Sequence, residues 1–294
     1  MQSIRVVLGF DMETDVGSWT PFYHGIEPGT AAIIGVLRKH RLPATFYFTG
    51  DAARKNPKVV RRVRSAGHEI GCHTLFHETV GDPLFEIPGM MPVLPEEVEH
   101  RLRLATEWVE GVAGVRPVSF RAPRLFGSTA MVNALESLGY ATDASYPMYY
   151  FKKRLGPYHP SRADWTRPGR LRIVELPNFA DLGMRSSDPF GRDRDQWPLY
   201  RTKGAAALIK HIDSFCAYCR RRGVPPFLCF YFHPWEFHEM PNGEIHYGEG
   251  AVHPDPFIVK NTGPRAVKEL DRLLGLLLER GAEFFEARQI TDFC

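Results

Sequence analysis

Cysteine is scarce in this chain: five among 294 residues, Cys72, Cys216, Cys219, Cys229 and Cys294. They are too few and too scattered for a disulfide framework, so reduced thiols and a cytoplasmic location are expected. Long hydrophobic runs are missing too. The longest, at 227–232 and 270–278, fall far short of the roughly 18 apolar residues of a membrane span, so no integral membrane segment is expected. The opening residues lack a basic n-region, a long apolar h-region and a small-residue cleavage site, and no secretory signal is expected. Charge of one sign is also lacking. The 37 basic and 34 acidic residues give a net +3, and the Lys and Arg are dispersed among acids, which argues against a nucleic-acid partner. Repeats, low-complexity tracts and linkers are absent, leaving one domain as the expectation for a chain that is 44% hydrophobic.

What is present is an alternation of short apolar runs and amphipathic stretches. Strands are expected at 4–10, 44–49, 68–72, 118–120, 140–142, 171–176, 227–232 and 282–285. Helices are expected at 28–41, 57–66, 95–112, 128–138, 203–222 and 264–280, the fourth and last closed by Gly139 and Gly281. Regular βα alternation implies parallel strands with crossover helices, hence an α/β fold of barrel type. Cys216 and Cys219 have C-x-x-C spacing but lie in a helical pattern without a second Cys/His pair, so they are not read as a redox or zinc site. Two stretches, 146–168 and 180–200, break the alternation and are rich in Pro, Gly, Arg and aromatic residues, as functional loops often are.

Polar residues stand at the ends of five expected strands: Asp11, His73, Arg121, Asp143 and His233. In a parallel barrel the C-terminal strand ends open onto one face, so these five should converge. His73 and His77 are four apart, neighbours on one face if the segment is helical, and suit one metal ion. Asp11, Glu13 and Asp15 supply carboxylates at alternate positions, and two His with one carboxylate is a recurrent hydrolytic metal shell.

Five motifs in the same order, Phe10-Asp-Met-Glu13, His73-Thr-Leu-Phe-His77, Arg121-Ala-Pro123, Tyr140-Ala-Thr-Asp143 and Phe232-His-Pro-Trp-Glu236, resemble those of the polysaccharide deacetylase (NodB-homology, carbohydrate esterase family 4) family. The likeness runs through almost the whole chain and includes 42–46 and 66–71. The His-Pro-Trp-Glu segment and the Asp-x-Glu opening are closest to the branch associated with exopolysaccharide and peptidoglycan modification. The resemblance implies an irregular (β/α) barrel of about seven parallel strands in one domain, and a hydrolase that removes an N-acetyl or N-formyl group from an amino sugar or polysaccharide.

By motif, the resemblance makes Asp11 the general base toward the attacking water, and His73 and His77 two ligands of one divalent metal. Zinc is the expected ion, although the same donors accept Co, Ni, Mn or Fe. Glu13 is the third ligand with Asp15 in reserve, because Met12 fills the place where a second Asp is commoner. Arg121 would orient the base, His233 would protonate the leaving amine, and Asp143 would tune His233. Arg124 stands where many members have Tyr, and its backbone N–H would serve the oxyanion. Trp235 is expected to wall the pocket or stack on a sugar ring. Tyr146, in a stretch with four aromatic residues in six, is read as a loop anchor that could also meet carbohydrate. His238, His246 and His253 are read as exposed. The loops at 146–168 and 180–200 are expected to border an open groove. Self-association is left open. The competing activities are hydrolysis of small cyclic amides or imides on the same scaffold, and carbohydrate binding without catalysis.

Overall fold

Strands that are apolar on both faces need cover on both, and helices crossing between parallel strands supply it. The structure, a computed structural model describing residues 3–87 and 89–294, is built in this way. Strand β1 (Ile4–Met12) lies at the centre of a curled sheet. On one side follow β2 (Thr45–Phe48), β3 (Glu69–Cys72), β4 (Ser119–Phe120), β5 (Thr142–Asp143) and β6 (Val174–Glu175), all parallel. On the other side β1 pairs in parallel with β7 (Phe227–Phe232). An isolated parallel bridge from Asn178, just past β6, to Cys229 of β7 draws the two ends of the sheet together. A small antiparallel hairpin, β8 (Ile245–Tyr247) and β9 (Gly250–Val252), follows β7. The last strand, β10 (Ala282–Phe285), pairs with residues 4–7 of β1, and β2 takes up residues 9–12. The expected irregular barrel of about seven parallel strands is therefore the fold.

The helices Ile26–His40, Pro57–Ser65, Val98–Ala113, Thr129–Ser137, Ala205–Arg220 and Pro264–Leu278 lie within a few residues of expectation. The strand expected at 171–176 shortens to two residues. The preceding loop takes the neighbouring backbone donors: Gly169 N bonds His159 O at 2.7 Å and Leu171 N bonds Pro160 O at 3.1 Å. Cys216 and Cys219 are buried in their helix, and burial pushes their thiols up to about 11 and about 12, so both are resting core residues. All five cysteines are free, and among the described residues no helix is long and apolar enough to cross a membrane.

The two-residue period of a strand decides what reaches the barrel interior. In β1, Val6, Leu8, Phe10 and Met12 join the large core under the helices, while Val7 joins the interior cluster with Tyr47, Phe227 and Cys229. Gly9, Asp11 and Glu13 continue the Val7 face. The same count in β7 carries Phe227 and Cys229 on to Tyr231 and His233.

Candidate active site

Asp11 and Glu13 share a face because Met12 points the other way, into the helix-covered core. Asp11 Oδ1 accepts from Arg121 Nη1 at 2.9 Å. Arg121 is wholly buried. Its Nε donates to Ala144 O and its Nη2 to Phe230 O, both at 3.2 Å, and the guanidinium lies 4.5 Å from the Tyr47 ring centre. Burial works against this cation, but the Asp11 carboxylate outweighs it and raises the Arg121 pKa. Room for the guanidinium comes from Gly9, where a Cβ would stand 2.2 Å from Arg121 Nη1.

Glu13, His73 and His77 meet just above. Glu13 Oε2 lies 2.6 Å from His77 Nε2 and 3.4 Å from His73 Nε2. The expected helical relation between the two histidines does not hold. Residues 73–77 form an irregular bend with left-handed backbone at Thr74 (φ 65) and His77 (φ 65), and the Glu78 carboxylate accepts from Leu75 N and Phe76 N to hold it. His73 Nδ1 donates to Arg121 O at 2.7 Å, which turns a bare Nε2 toward Glu13. Burial opposes ionisation of Glu13, but His77 and His233 outweigh it and hold the carboxyl well below its usual range. Burial pushes His77 down to about 4, so it is a neutral imidazole at pH 7.

This donor set fits a divalent cation. One ligand atom from each of the three residues can be chosen so that all lie within 4.8 Å of one another, and bonds of ~2.0–2.2 Å to a tetrahedral ion imply a spacing of roughly 3.3 Å. Among the described residues Glu13 Oε1 is buried without a hydrogen-bond partner, as fits a carboxylate oxygen beside a cation site. Asp15 lies outside this cluster, its carboxylate accepting from His24 N at 2.8 Å and Gly25 N at 3.0 Å.

His233 faces the same site, its Nε2 4.0 Å from Glu13 Oε1. Its Nδ1 lies 2.9 Å from Glu236 Oε1, and Glu236 Oε2 accepts from buried Arg201 Nε at 2.6 Å. Burial disfavours the imidazolium, yet the Glu13 and Glu236 carboxylates together raise the His233 pKa. The expectation that Asp143 tunes His233 is corrected here: Glu236 occupies that place. Asp143 bonds Ser145 Oγ and lies beside Glu175, its registered neighbour on β6. Ala144, Val174 and Leu176 fill the interior cluster, which leaves Asp143 and Glu175 on the other face of the sheet. Burial pushes Asp143 up to about 7, and Glu175 also rises, first through burial and then through Asp143.

A cavity of about 340 Å³ opens over these groups and is lined by Asp11, Glu13, His73, His77, Arg124 and His233. Its walls are Trp19, Phe85, Phe190, Trp197 and Tyr231, none of which sequence reasoning singled out. Tyr231 carried a signal by its alternation with His233, and Phe190 and Trp197 by their place in the 180–200 loop; Trp19 and Phe85 carried none. Two expected substrate contacts do not reach the cavity. Trp235 is 1% exposed and stacks behind His233 at 5.5 Å, while Tyr146 is packed against Phe151, Tyr158 and Trp165. The 180–200 loop borders the cavity through Phe190, Arg192 and Trp197. The 146–168 loop does not, and the segment carrying Phe85 and Ile87 takes its place. His238, His246 and His253 do not line it.

Residues 4–142 match the family model described as polysaccharide deacetylase. The chain is 27% identical over 172 residues to a peptidoglycan-N-acetylglucosamine deacetylase of Bacillus cereus, covering 57% of this chain and 69% of that protein. It is 32% identical over 111 residues to a chitooligosaccharide deacetylase of Azorhizobium caulinodans, covering 37% and 48%. It is 28% identical over 123 residues to a peptidoglycan-N-acetylmuramic acid deacetylase of Bacillus subtilis, covering 41% and 43%. The chain thus spans less than half the length of the last two. Among solved structures, a Mycobacterium smegmatis protein assigned to the polysaccharide deacetylases superposes with a TM-score of 0.67 at 18% identity over 99% of this chain and 90% of that one. Puue allantoinase superposes at 0.62 and 15% identity, with the same coverage. A family 4 acetyl xylan esterase from Clostridium thermocellum, in complex with a cobalt ion, superposes at 0.52 and 17% identity over 99% and 91%. At such identities these structures speak to the fold alone.

Proposed function

We propose that this chain, which over residues 4–142 belongs to the polysaccharide deacetylase family, is a metal-dependent hydrolase that removes the acyl group from an N-acylated amino sugar or polysaccharide. The observation that carries this reading is the convergence, in one cavity, of a cation-ready Glu13–His73–His77 cluster with Asp11 and His233.

Amide hydrolysis needs an activated water, a stabilised oxyanion and a proton for a poor leaving group. Glu13, His73 and His77 would hold a divalent cation, which would supply Lewis acidity toward the acyl carbonyl and lower the pKa of water from about 15.7 toward ~7. Asp11, fixed through Oδ1 by Arg121, takes the proton of the attacking water. His233, fixed through Nδ1 by Glu236, gives the Nε2 proton to the departing nitrogen as the C–N bond breaks. The Arg124 backbone N–H is assigned to the oxyanion, and Trp197, edge-on to the His233 ring at 5.8 Å, closes the cavity beside the proton donor. Trp235 and Tyr146 are supporting residues in this scheme.

A second reading, hydrolysis of a small cyclic amide or imide, draws on the aromatic and aliphatic walls of the cavity, which suit a compact apolar ring. A panel of N-acylated amino sugars, their oligomers and cyclic imides separates the two. Faster acyl release from the sugars is the expected result, and faster opening of an imide overturns it.

A further inference from the structure

We infer that the base of the barrel, the end away from the cavity mouth, docks on a bilayer through anionic phospholipid headgroups; this does not depend on the reaction assigned above. The strands of the main sheet are parallel, so the loops leading into them gather at one end and the loops leaving them at the other. The helix ends and loops that lead into β2, β3, β4 and β7, residues 38–44, 62–68, 114–118 and 220–226, hold eight arginines, one lysine and no acid. On the cavity side, residues 233–263 after β7 hold five acids and one lysine. Charges that are mixed along the chain are thus sorted by the fold. At the base, Arg62 and Arg116 pair with Glu27 and Glu110, and Arg64 donates to Ala113 O at 2.6 Å. Arg38, Arg41, Arg220, Arg221 and Arg222 are all exposed, and among the described residues no carboxylate lies within 4.0 Å of any of them.

A cation near a helix C-terminus complements the helix dipole, which accounts for Arg38 and Arg220. It does not account for the rest. Arg41 stands at φ 56, in the left-handed cap position that ordinarily goes to glycine, and Arg220 to Arg222 set three mutually repelling charges in succession. The base also has an apolar component. A groove of about 620 Å³ lies between the ends of the Ile26–His40 and Pro57–Ser65 helices, with Ile34, Leu37, Leu42 and Pro43 beneath exposed Arg38 and Arg41. Val115, 42% exposed, stands at the same end between Gly114 and Arg116. A phospholipid offers both matching parts: a phosphate for the guanidinium fork and an acyl chain for the groove. A nucleic acid offers only the first. Docked by its base, the barrel turns its cavity away from the bilayer.

Sedimentation of the full chain with vesicles tests this, using phosphatidylcholine alone and phosphatidylcholine mixed equally with phosphatidylglycerol. Wild-type protein should bind the mixed vesicles and not the neutral ones. Its partition should fall about 10-fold or more between ~0.05 and ~0.5 M salt, as the attraction to the headgroups is screened. Reversing three unmatched cations together, Arg41→Glu, Arg221→Glu and Arg222→Glu, should lower partition about 10-fold or more with the melting temperature kept. Should the reversed chain fail to fold, glutamine at the same three positions asks the same question, with a smaller loss expected. Lys152→Glu with Lys153→Glu, in the cavity-side loop after β5, should leave partition within about 2-fold, which separates the place of the charge from its total. Equal binding to both vesicle sets, no binding to the mixed set, or a loss as large in the lysine variant overturns the inference. So does tighter binding to a DNA duplex than to the mixed vesicles.

Discussion

His233 Nδ1 lies 2.9 Å from Glu236 Oε1, three residues along the same turn, and Arg201 holds the other oxygen of that carboxylate at 2.6 Å. A proton donor is effective only while protonated, so the raised pKa of His233 should set the alkaline limb of kcat/KM. Glu236→Gln removes one of the charges that raise it. The alkaline limb is then expected to move to lower pH by about one unit, or ~1.4 kcal/mol, with the acid limb in place. Midpoints from the pH profile check this, and an unmoved alkaline limb would detach Glu236 from the reaction.

Metal content should follow Glu13 and ignore Asp15. Glu13→Ala and His77→Ala are expected to lose the cation. Asp15→Asn should keep it while costing about 1–3 kcal/mol of stability, since the Asp15 carboxylate caps two backbone N–H groups. Elemental analysis and melting of the three variants read both effects. Loss of metal from Asp15→Asn would return Asp15 to the ligand set.

Gly9→Ala should reach the site from within β1. The added methyl would stand 2.2 Å from Arg121 Nη1 and 2.5 Å from Nη2, so the guanidinium must leave Asp11. Turnover is expected to fall by about 10²-fold or more, the scale of losing an oriented base, with metal content kept. Wild-type turnover in this variant would mean that Arg121 does not orient Asp11.

Much of this architecture is legible in the sequence because its signals are local. The Ile4–Met12 and Phe227–Phe232 runs declare buried strands, and the period of two carries Asp11, Glu13 and His233 to the interior. Less legible is what depends on irregular backbone. The His73–His77 pairing arises from left-handed turns rather than a helix, and Arg124 owes its position to another. Of the aromatic walls, Phe190 and Trp197 lie in the 180–200 loop whose composition marks it as a border of the groove, whereas Trp19 and Phe85 come from loops without periodicity, so nothing in the sequence ties these two to the cavity. Trp235 and Tyr146 mislead for the opposite reason: an aromatic residue near a motif looks like a substrate platform, yet both are buried supports.

The Asp143–Glu175 pair should appear in stability rather than in the pH profile of His233. Burial raises the Asp143 pKa from its ordinary 3.8 to about 7, so the folded state holds a proton that the unfolded chain releases. Stability therefore falls as pH rises between those values, and the penalty is complete above the upper one. Asp143→Asn removes the charge, and is expected to melt higher than wild type near pH 8 and to lose that advantage toward pH ~4. Thermal melts across this range check it. A variant less stable than wild type at pH 8 would contradict it.

The central claim is that a cation at Glu13, His73 and His77 makes this cavity hydrolyse N-acyl bonds. Its most direct test is acyl release from N-acylated amino sugars by protein stripped with a chelator and reloaded stepwise, with rate plotted against metal bound. The account predicts no release from stripped protein, a rate rising in proportion to bound cation up to one per chain, and no recovery in His77→Ala. Release by the stripped protein at the loaded rate, or full loading without release from any acylated sugar, would contradict it.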